Sequence, residues 1–226
     1  MNADDFGMHP MIVRGAVIAH ERGIVTSASL MVNGRSAAAA AAAIRRLPRL
    51  SVGLHLDLGE WEHVDGEWRP VYEVVDMDDP AAVARELDAQ IVRFAELCGR
   101  PPAHIDSHQH VHREGTVAEV VARAGRRGGI PVRGTTLGAR HLGGFYGQTG
   151  TGDPFPEGIS LAGLIAAIRA LRPGVSEMAC HPAAGASVPP YSRERVEELR
   201  VLCHPAVRAA LAEEGVTLVT PRVLVA

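Results

Sequence analysis

The feature that most constrains the fold is the regular alternation of strand-like and helix-like segments along the chain. Short runs rich in β-branched residues and bounded by turn residues predict strands, and longer runs with a helical period predict helices. The predicted strands are residues 24–32, 51–58, 104–112, 130–133, 175–182 and 216–220. The predicted helices are residues 13–20, 36–46, 80–98, 116–127, 160–171, 192–203 and 205–214. This alternation indicates an α/β protein whose parallel sheet, joined by right-handed crossovers, is closed or nearly closed into a barrel.

Length and charge narrow the class of protein. A chain of 226 residues with 46% hydrophobic side chains suits one domain with a sizeable core, so we predict a single domain over 1–226. The net charge of -3 comes without any basic run, which argues against nucleic acid and anionic membranes as partners. The oligomeric state stays undetermined, and a homodimer is left open.

Cysteine usage and hydropathy predict the compartment. The chain has three cysteines without a C-x-x-C spacing, which favours buried thiols in a reducing compartment over disulfides or a thiolate zinc site. No signal peptide and no stretch of eighteen apolar residues is found, so we expect a cytoplasmic protein without membrane insertion.

A histidine-rich segment is the strongest chemical signal. Four of the eleven histidines fall within residues 104–112, and in an extended strand His104, Asp106, His108, His110 and His112 would share one face. The segment lies at the predicted carboxyl end of a strand, where β/α folds keep their chemistry, and it therefore indicates a metal site. The alternative is a solvated histidine run without a ligand role.

Further polar residues lie at or just past predicted strand ends. Asp4 and Asp5 open the chain, His55 lies in an apolar strand and His181 precedes Pro182. Taken alone, the acids are typical of a turn or helix cap and His55 of a satisfied core residue. A barrel, however, brings such strand ends to one face, together with His108.

Two loop regions carry aromatic side chains. Trp61 and Trp68 lie in a polar segment long enough to cover a substrate, and Phe145 and Tyr146 lie in the glycine-rich loop 134–158. We predict that Trp61, Phe145 and Tyr146 contact a substrate through their flat faces, although capping of the barrel rim would explain the same residues.

Six strings in register resemble one known family. NADDFG, GIVTSASLMVNG, VGLHLDL, HIDSHQHVH, FYGQ and MACHP are similar, in this order and spacing, to the YdjC family of carbohydrate deacetylases, which includes chitooligosaccharide and hopanoid-associated deacetylases. The resemblance covers essentially the whole chain as one YdjC-like domain. It implies a distorted TIM-like (β/α) barrel.

The resemblance also implies the roles of five residues. One divalent metal ion, Mg²⁺ or Zn²⁺, would be bound by Asp5, His55 and His108. Asp4 would be the general base, and His181 would assist as acid or oxyanion stabiliser. The implied reaction is metal-dependent removal of the N-acetyl group from an N-acetylated sugar, such as a chito-oligosaccharide or a glycolipid head.

The chemistry of amide hydrolysis is consistent with such residues. A carboxylate and two neutral imidazoles hold a divalent cation with positions open for water and the substrate carbonyl. A second carboxylate can accept the proton of the water, and a protonated imidazole can donate to the leaving amine. Asp106 and the remaining histidines of the cluster are expected to orient the ligands.

The chain departs from the family at its N-terminal end, and two alternative functions remain. Members usually have an apolar strand before NADDFG, so we expect a barrel that lacks its first strand, with unpaired edges and with Asp4 and Asp5 on a frayed terminus. An inactive sugar-binding or partner subunit of the same fold is therefore one alternative. A barrel hydrolase acting on a phosphoester or cyclic amide is the other, but it would usually need a second metal or a lysine bridge, and the chain has no lysine.

Overall fold

A curled sheet of six parallel strands forms the centre of the molecule. The computed structural model describes residues 1–136, 138–186 and 191–221. The strands are β1 (Asn2–Phe6), β2 (Ser27–Leu30), β3 (Ser51–Leu56), β6 (Ile105–Ser107), β7 (Arg140–Leu142) and β8 (Ser176–Cys180), and their spatial order is β6-β3-β2-β1-β8-β7. All five pairings are parallel. The predicted α/β class is confirmed, and the curled sheet is consistent with a distorted TIM-like barrel.

Helices cover the outside of this sheet, and an antiparallel hairpin stands apart from it. The helices are α1 (Pro10–Arg22), α2 (Ala37–Arg46), α3 (Pro80–Cys98), α4 (Gly115–Gly128), α5 (Leu161–Arg169), α6 (Ser192–Leu202) and α7 (Pro205–Glu213). The hairpin pairs β4 (Gly59–Val64) with β5 (Glu67–Glu73). No helix in the described part of the chain is long and apolar enough to cross a membrane.

Local signals explain where the helices begin. Pro10 opens α1, and the ring of His9 accepts a hydrogen bond from the Met11 backbone N–H, so His9 caps this helix. Asp79 caps α3 in the same way, through the Ala81 N–H. These caps are encoded within a few residues, which is why the sequence predicts these helices well.

The core lies on both faces of the sheet. Strands β1, β2 and β3 are buried along their whole length, as expected of parallel strands covered by helices on one side and by barrel interior on the other. Their apolar side chains, such as Phe6, Leu30 and Leu54, are fully buried. Any polar side chain on these strands is therefore also removed from water, which must be compensated by hydrogen bonds or ion pairs.

The NADDFG motif itself forms a strand, although no strand was predicted over these residues. Asn2–Phe6 pairs with β2 on one side and with β8 on the other, so it lies inside the sheet. Asp4 and Asp5 are each only 1% exposed. The prediction that they lie on a frayed terminus beside unpaired edges is wrong, because the motif has hydrogen-bonding partners on both sides.

Other predicted strands differ from the structure. The histidine segment is extended only to Ser107 and continues as a 3₁₀ segment, His108–Arg113, because Gln109 and His110 have φ angles of 50° and 58°. Residues 130–133 contribute a single parallel bridge, between Val132 and Ile105. Residues 216–220 form no strand, since their apolar side chains pack on the core without a backbone ladder. Strand β7 and the hairpin were not predicted.

Candidate active site

Polar side chains from several elements meet at the carboxyl ends of the strands. Asp5 lies near the end of β1, His55 near the end of β3, and His108 directly after β6. His181 follows β8. The structure thus brings together residues that are up to 176 positions apart in the sequence, as expected at the catalytic face of a β/α barrel.

Asp5, His55 and His108 form a compact buried group. Asp5 Oδ1 lies 3.2 Å from His55 Nε2 and 3.1 Å from His108 Nδ1. One donor atom from each residue lies within 4.8 Å of the others, so the three could hold a metal ion. Asp5 has a φ of 58°, in the left-handed region that a non-glycine residue adopts only at a cost. The pairing of β1 is irregular at this point, and the Asp5 carboxylate faces the two imidazoles.

Asp106 orients His55. Its Oδ1 accepts a hydrogen bond of 2.7 Å from His55 Nδ1, which leaves Nε2 directed at Asp5. Oδ2 of Asp106 accepts a 2.6 Å bond from the Ser29 hydroxyl. Burial opposes the charged ring, but Asp106 and then Asp5 outweigh it and raise the pKa of His55 to about 10. The prediction that Asp106 orients a ligand histidine fits this geometry.

Asp4 is held by a buried arginine that the sequence analysis missed. Arg133 is 0% exposed, and its guanidinium donates to both oxygens of Asp4, at 2.7 and 2.8 Å. Asn2 Nδ2 adds a third bond, to Asp4 Oδ1, at 2.7 Å. Burial alone would raise the pKa of Asp4, but Arg133 keeps it below its usual value, so Asp4 stays ionised. A carboxylate has about four acceptor sites, so Oδ2 retains one for a further proton donor.

Arg133 also connects Asp4 to two other acids. Its Nη2 lies 2.7 Å from Asp106 Oδ2, and its Nε donates to Glu177 Oε1 at 2.8 Å. One cation therefore neutralises three buried carboxylates, in part. The pKa of Asp106 is held well below its usual value by Arg133 and His55 in spite of burial.

A second group of possible metal ligands is less suitable. Asp4, His55 and Asp106 also place one donor atom each within 4.8 Å of the others. However, Arg133 donates to both oxygens of Asp4 and lies against Oδ2 of Asp106, and Oδ1 of Asp106 already accepts from His55 Nδ1. An arginine holds only one oxygen of Asp5, Oδ2, so its Oδ1 carries no arginine contact. The donor set of Asp5, His55 and His108 therefore fits a divalent cation better.

Arg195 holds the outer oxygen of Asp5. Its Nη2 donates to Asp5 Oδ2 at 2.6 Å from helix α6. Burial opposes ionisation of Asp5, but Arg195 and His108 keep its pKa well below the usual value. With Oδ2 held by Arg195, Oδ1 is the oxygen that faces both imidazoles.

His181 lies beside Glu198 and two tyrosines. Its backbone N–H donates to Glu198 Oε2, and its Nδ1 lies 3.8 Å from Glu198 Oε1. Burial disfavours the charged ring, but Glu198 outweighs it and raises the pKa of His181, with smaller contributions from Asp5 and Asp4. The ring is packed edge-on against Tyr146 at 5.1 Å and Tyr191 at 5.8 Å. A raised pKa suits a group that must carry a proton near neutral pH.

The aromatic residues predicted to bind substrate differ in their positions. Tyr146 is 37% exposed and stacks on Tyr191 at 4.8 Å, next to His181. Trp61 lies on β4, and its backbone is hydrogen bonded to Gln109 beside His108. Phe145 is only 3% exposed and belongs to the hydrophobic core, so its ring is not available to a sugar and this prediction does not fit the structure.

Three buried residues of the site were not predicted, and for only one of them, Arg133, does the sequence contain a signal. Arg133 ends the predicted strand 130–133, so the rule applied to the other strand ends would have selected it. Arg195 and Glu198 lie three residues apart on α6, a helix rich in charge, and nothing local distinguishes them from solvated residues. Only the tertiary structure shows that both are buried.

A family model described as "YdjC-like protein" matches residues 1–213. The chain is 35% identical to the carbohydrate deacetylase of Geobacillus stearothermophilus, over 98% of this chain and 96% of the relative. It is 34% identical to the chitooligosaccharide deacetylase of Serratia marcescens, over 96% and 95% of the two chains.

Solved structures show the same fold. A crystal structure from Enterococcus faecalis V583, of a protein named for cellobiose-phosphate cleavage, is similar with a TM-score of 0.80 and 26% identity, over 99% of this chain and 97% of that one. A family 4 carbohydrate esterase from Streptomyces lividans, in complex with acetate, has a TM-score of 0.55 at 13% identity, over 98% and 92%. At this identity the second likeness concerns the fold alone.

Proposed function

Because the chain belongs to the YdjC family, we propose that it is a metal-dependent carbohydrate deacetylase that removes the N-acetyl group from an N-acetylated sugar. The curated relatives are named carbohydrate deacetylase and chitooligosaccharide deacetylase, which supports a short oligosaccharide as substrate. The observation that carries the proposal is the buried group of Asp5, His55 and His108 beside the ionised Asp4.

The first part of the proposal is the metal site. Asp5, His55 and His108 would hold one divalent ion, because one carboxylate oxygen and two imidazole nitrogens converge and the surrounding acids outnumber the buried arginines. A divalent ion bound there supplies a Lewis acid that polarises the acetyl carbonyl and activates water. Two imidazoles favour zinc or another transition metal, while magnesium prefers a site with more oxygen ligands.

The second part concerns the proton acceptor. Asp4 is kept ionised by Arg133, and the unoccupied site on its Oδ2 can take the proton of the attacking water. A carboxylate paired with an arginine is a weaker base than a free one, but it stays deprotonated at neutral pH. Asp4 therefore acts as general base, and Arg133 is its positioning residue.

The third part concerns the leaving group. An amide does not break unless its nitrogen receives a proton, and His181, with its raised pKa, is the group that carries one. Glu198 keeps that proton on the ring and holds the His181 backbone. Tyr146, exposed beside His181, offers a flat face for the sugar, and Trp61 offers a second one from the hairpin.

Acetate release tests the proposal directly. The purified protein is incubated with an N-acetylated chito-oligosaccharide after treatment with a chelator and then with zinc or magnesium restored. We expect acetate only from the metal-loaded protein and a large loss of turnover in Asp4→Asn. Absence of acetate with every divalent ion and every N-acetyl sugar tested would refute the deacetylase proposal.

A further inference from the structure

The β4–β5 hairpin reaches the site through two consecutive residues, Glu60 and Trp61. They lie against two consecutive residues that follow β6, His108 and Gln109. The Trp61 backbone N–H donates to Gln109 Oε1 at 2.9 Å, and Gln109 Nε2 donates to the Trp61 carbonyl at 2.7 Å. The side-chain amide thus pairs with the hairpin backbone as a neighbouring strand would. This pair of bonds sets the position of the hairpin relative to His108.

The base of the hairpin is anchored on its other strand. Tyr72 lies opposite Glu60 in the antiparallel register, and its hydroxyl donates to Asp57 Oδ1 at 3.0 Å. Asp57 is itself buried, and its backbone N–H donates to the side chain of Gln90 on helix α3. Glu60 is therefore held from two sides, through Gln109 and through Tyr72.

The side chain of Glu60 is directed at the far nitrogen of His108. Glu60 Oε2 lies 3.9 Å from His108 Nε2, a buried atom without a hydrogen-bonding partner in the described structure. The other ring nitrogen, Nδ1, faces Asp5 at 3.1 Å. If Nδ1 gives its lone pair to a metal ion, the ring proton must be on Nε2, and this N–H then requires an acceptor.

A comparison of the three residues proposed as metal ligands shows what Glu60 adds. Asp5 is held by Arg195 at 2.6 Å and His55 by Asp106 at 2.7 Å, and both of these partners belong to the barrel and its helices. The corresponding partner of His108 is the carboxylate of Glu60, which comes from the hairpin and lies farther away, at 3.9 Å. We propose that Glu60 is the positioning residue of His108 and that Gln109 holds Glu60 in place, so that the hairpin contributes to metal affinity. This inference rests on the metal site of the proposed function.

Zinc affinity tests the inference without relying on activity. The metal-free protein is titrated with Zn²⁺ in competition with a chromophoric chelator, for the wild type, Glu60→Gln, Glu60→Leu and Gln109→Leu. The control is Glu62→Gln, an exposed acid on the same strand. Loss of an outer partner of a ligand typically weakens metal binding by about 10- to 100-fold, so we expect that range for Glu60→Leu and Gln109→Leu. Glu60→Gln removes the charge but keeps an oxygen that can accept from the ring N–H, so its loss should be smaller, and the control should change by less than about twofold.

The double variant Glu60→Leu/Gln109→Leu tests whether Gln109 affects zinc affinity through Glu60 or independently of it. If Gln109 acts through Glu60, the double variant binds zinc no more weakly than Glu60→Leu alone. Zinc affinities of Glu60→Leu and Gln109→Leu within about twofold of that of Glu62→Gln would overturn the inference while leaving the metal site intact. A wild type that binds no divalent ion would instead overturn the proposed function, and the inference with it. If Glu60→Leu does not fold, Glu60→Ala, which also removes the acceptor, takes its place in the comparison.

Discussion

Replacing Arg133 by methionine should cause a large, pH-dependent loss of stability. Arg133 is fully buried and makes ion pairs with Asp4, Asp106 and Glu177 at distances of 2.7 to 2.8 Å. Methionine fills a similar volume but leaves Asp4 and Glu177 without their cation and Asp106 with His55 as its cation. Removal of one partner from a buried ion pair typically costs about 3–5 kcal/mol.

The ion pairs of Arg133 determine how large the loss of stability is and how it changes with pH. For a protein of this size about 1 kcal/mol corresponds to roughly 2–4 °C, so we expect the Tm to fall by about 6–20 °C near neutral pH. Arg133 holds the pKa of Asp4 and of Asp106 below the usual value, so its contribution is present above the unfolded-state pKa of about 3.9 and is lost as the pH falls. In Arg133→Met these carboxylates take up protons more easily. The difference from wild type should therefore be largest near pH 7–8 and shrink towards pH 4.

Urea unfolding at several pH values, with chelator present so that bound metal does not add stability, measures this difference. Arg127→Met is the matched control, because Arg127 pairs with Asp88 at 2.6 Å on the surface, with side chains 67% and 53% exposed. Such a pair contributes about 0–1 kcal/mol, and the control should stay close to wild type. A loss in Arg133→Met no larger than the control, or one that does not change with pH, would refute the argument that Arg133 neutralises these acids.

Four further predictions concern the site itself. Elemental analysis should find about one divalent ion per chain in the wild type and almost none in His55→Ala or His108→Ala, and unchanged metal content would contradict the ligand assignment. Asp4→Asn should retain metal and substrate affinity but lose about 10²- to 10⁴-fold in kcat, whereas loss of metal would make Asp4 a ligand. Metal-free His55 has a pKa of about 10, so zinc must displace its proton. The apparent zinc affinity should therefore rise about tenfold per pH unit between roughly pH 7 and 9. A zinc affinity that does not change with pH, measured by isothermal titration calorimetry, would exclude His55 as a protonated ligand. His181→Ala should reduce kcat much more with an N-acetyl sugar than with an activated acetyl ester, and equal losses would remove His181 from the acid role.

The sequence by itself determined the class of fold and the face of the sheet at which its polar residues meet. Helices such as Pro80–Cys98 were predicted correctly because their caps and period are local signals, and the strand and helix alternation dictates a parallel sheet. Since parallel strands end at one edge, the predicted strands bring His55 and His108 to one face, and Asp5 joins them through a strand that was not predicted. The same rule would have found Arg133.

Tertiary structure alone decided which groups control these residues. The partner of Asp4 is 129 residues away and that of Asp5 is 190 residues away, so no local pattern relates them. Burial of Phe145, the turn at Gln109 that ends the histidine strand and the approach of Glu60 to His108 depend on packing between distant segments. Residue type and spacing revealed only part of the site, because they did not select Arg195, Glu198 or Glu60 and they included Phe145, which lies in the core. The charge states of the site residues depend on burial and on neighbouring ions, and these exist only in the folded chain.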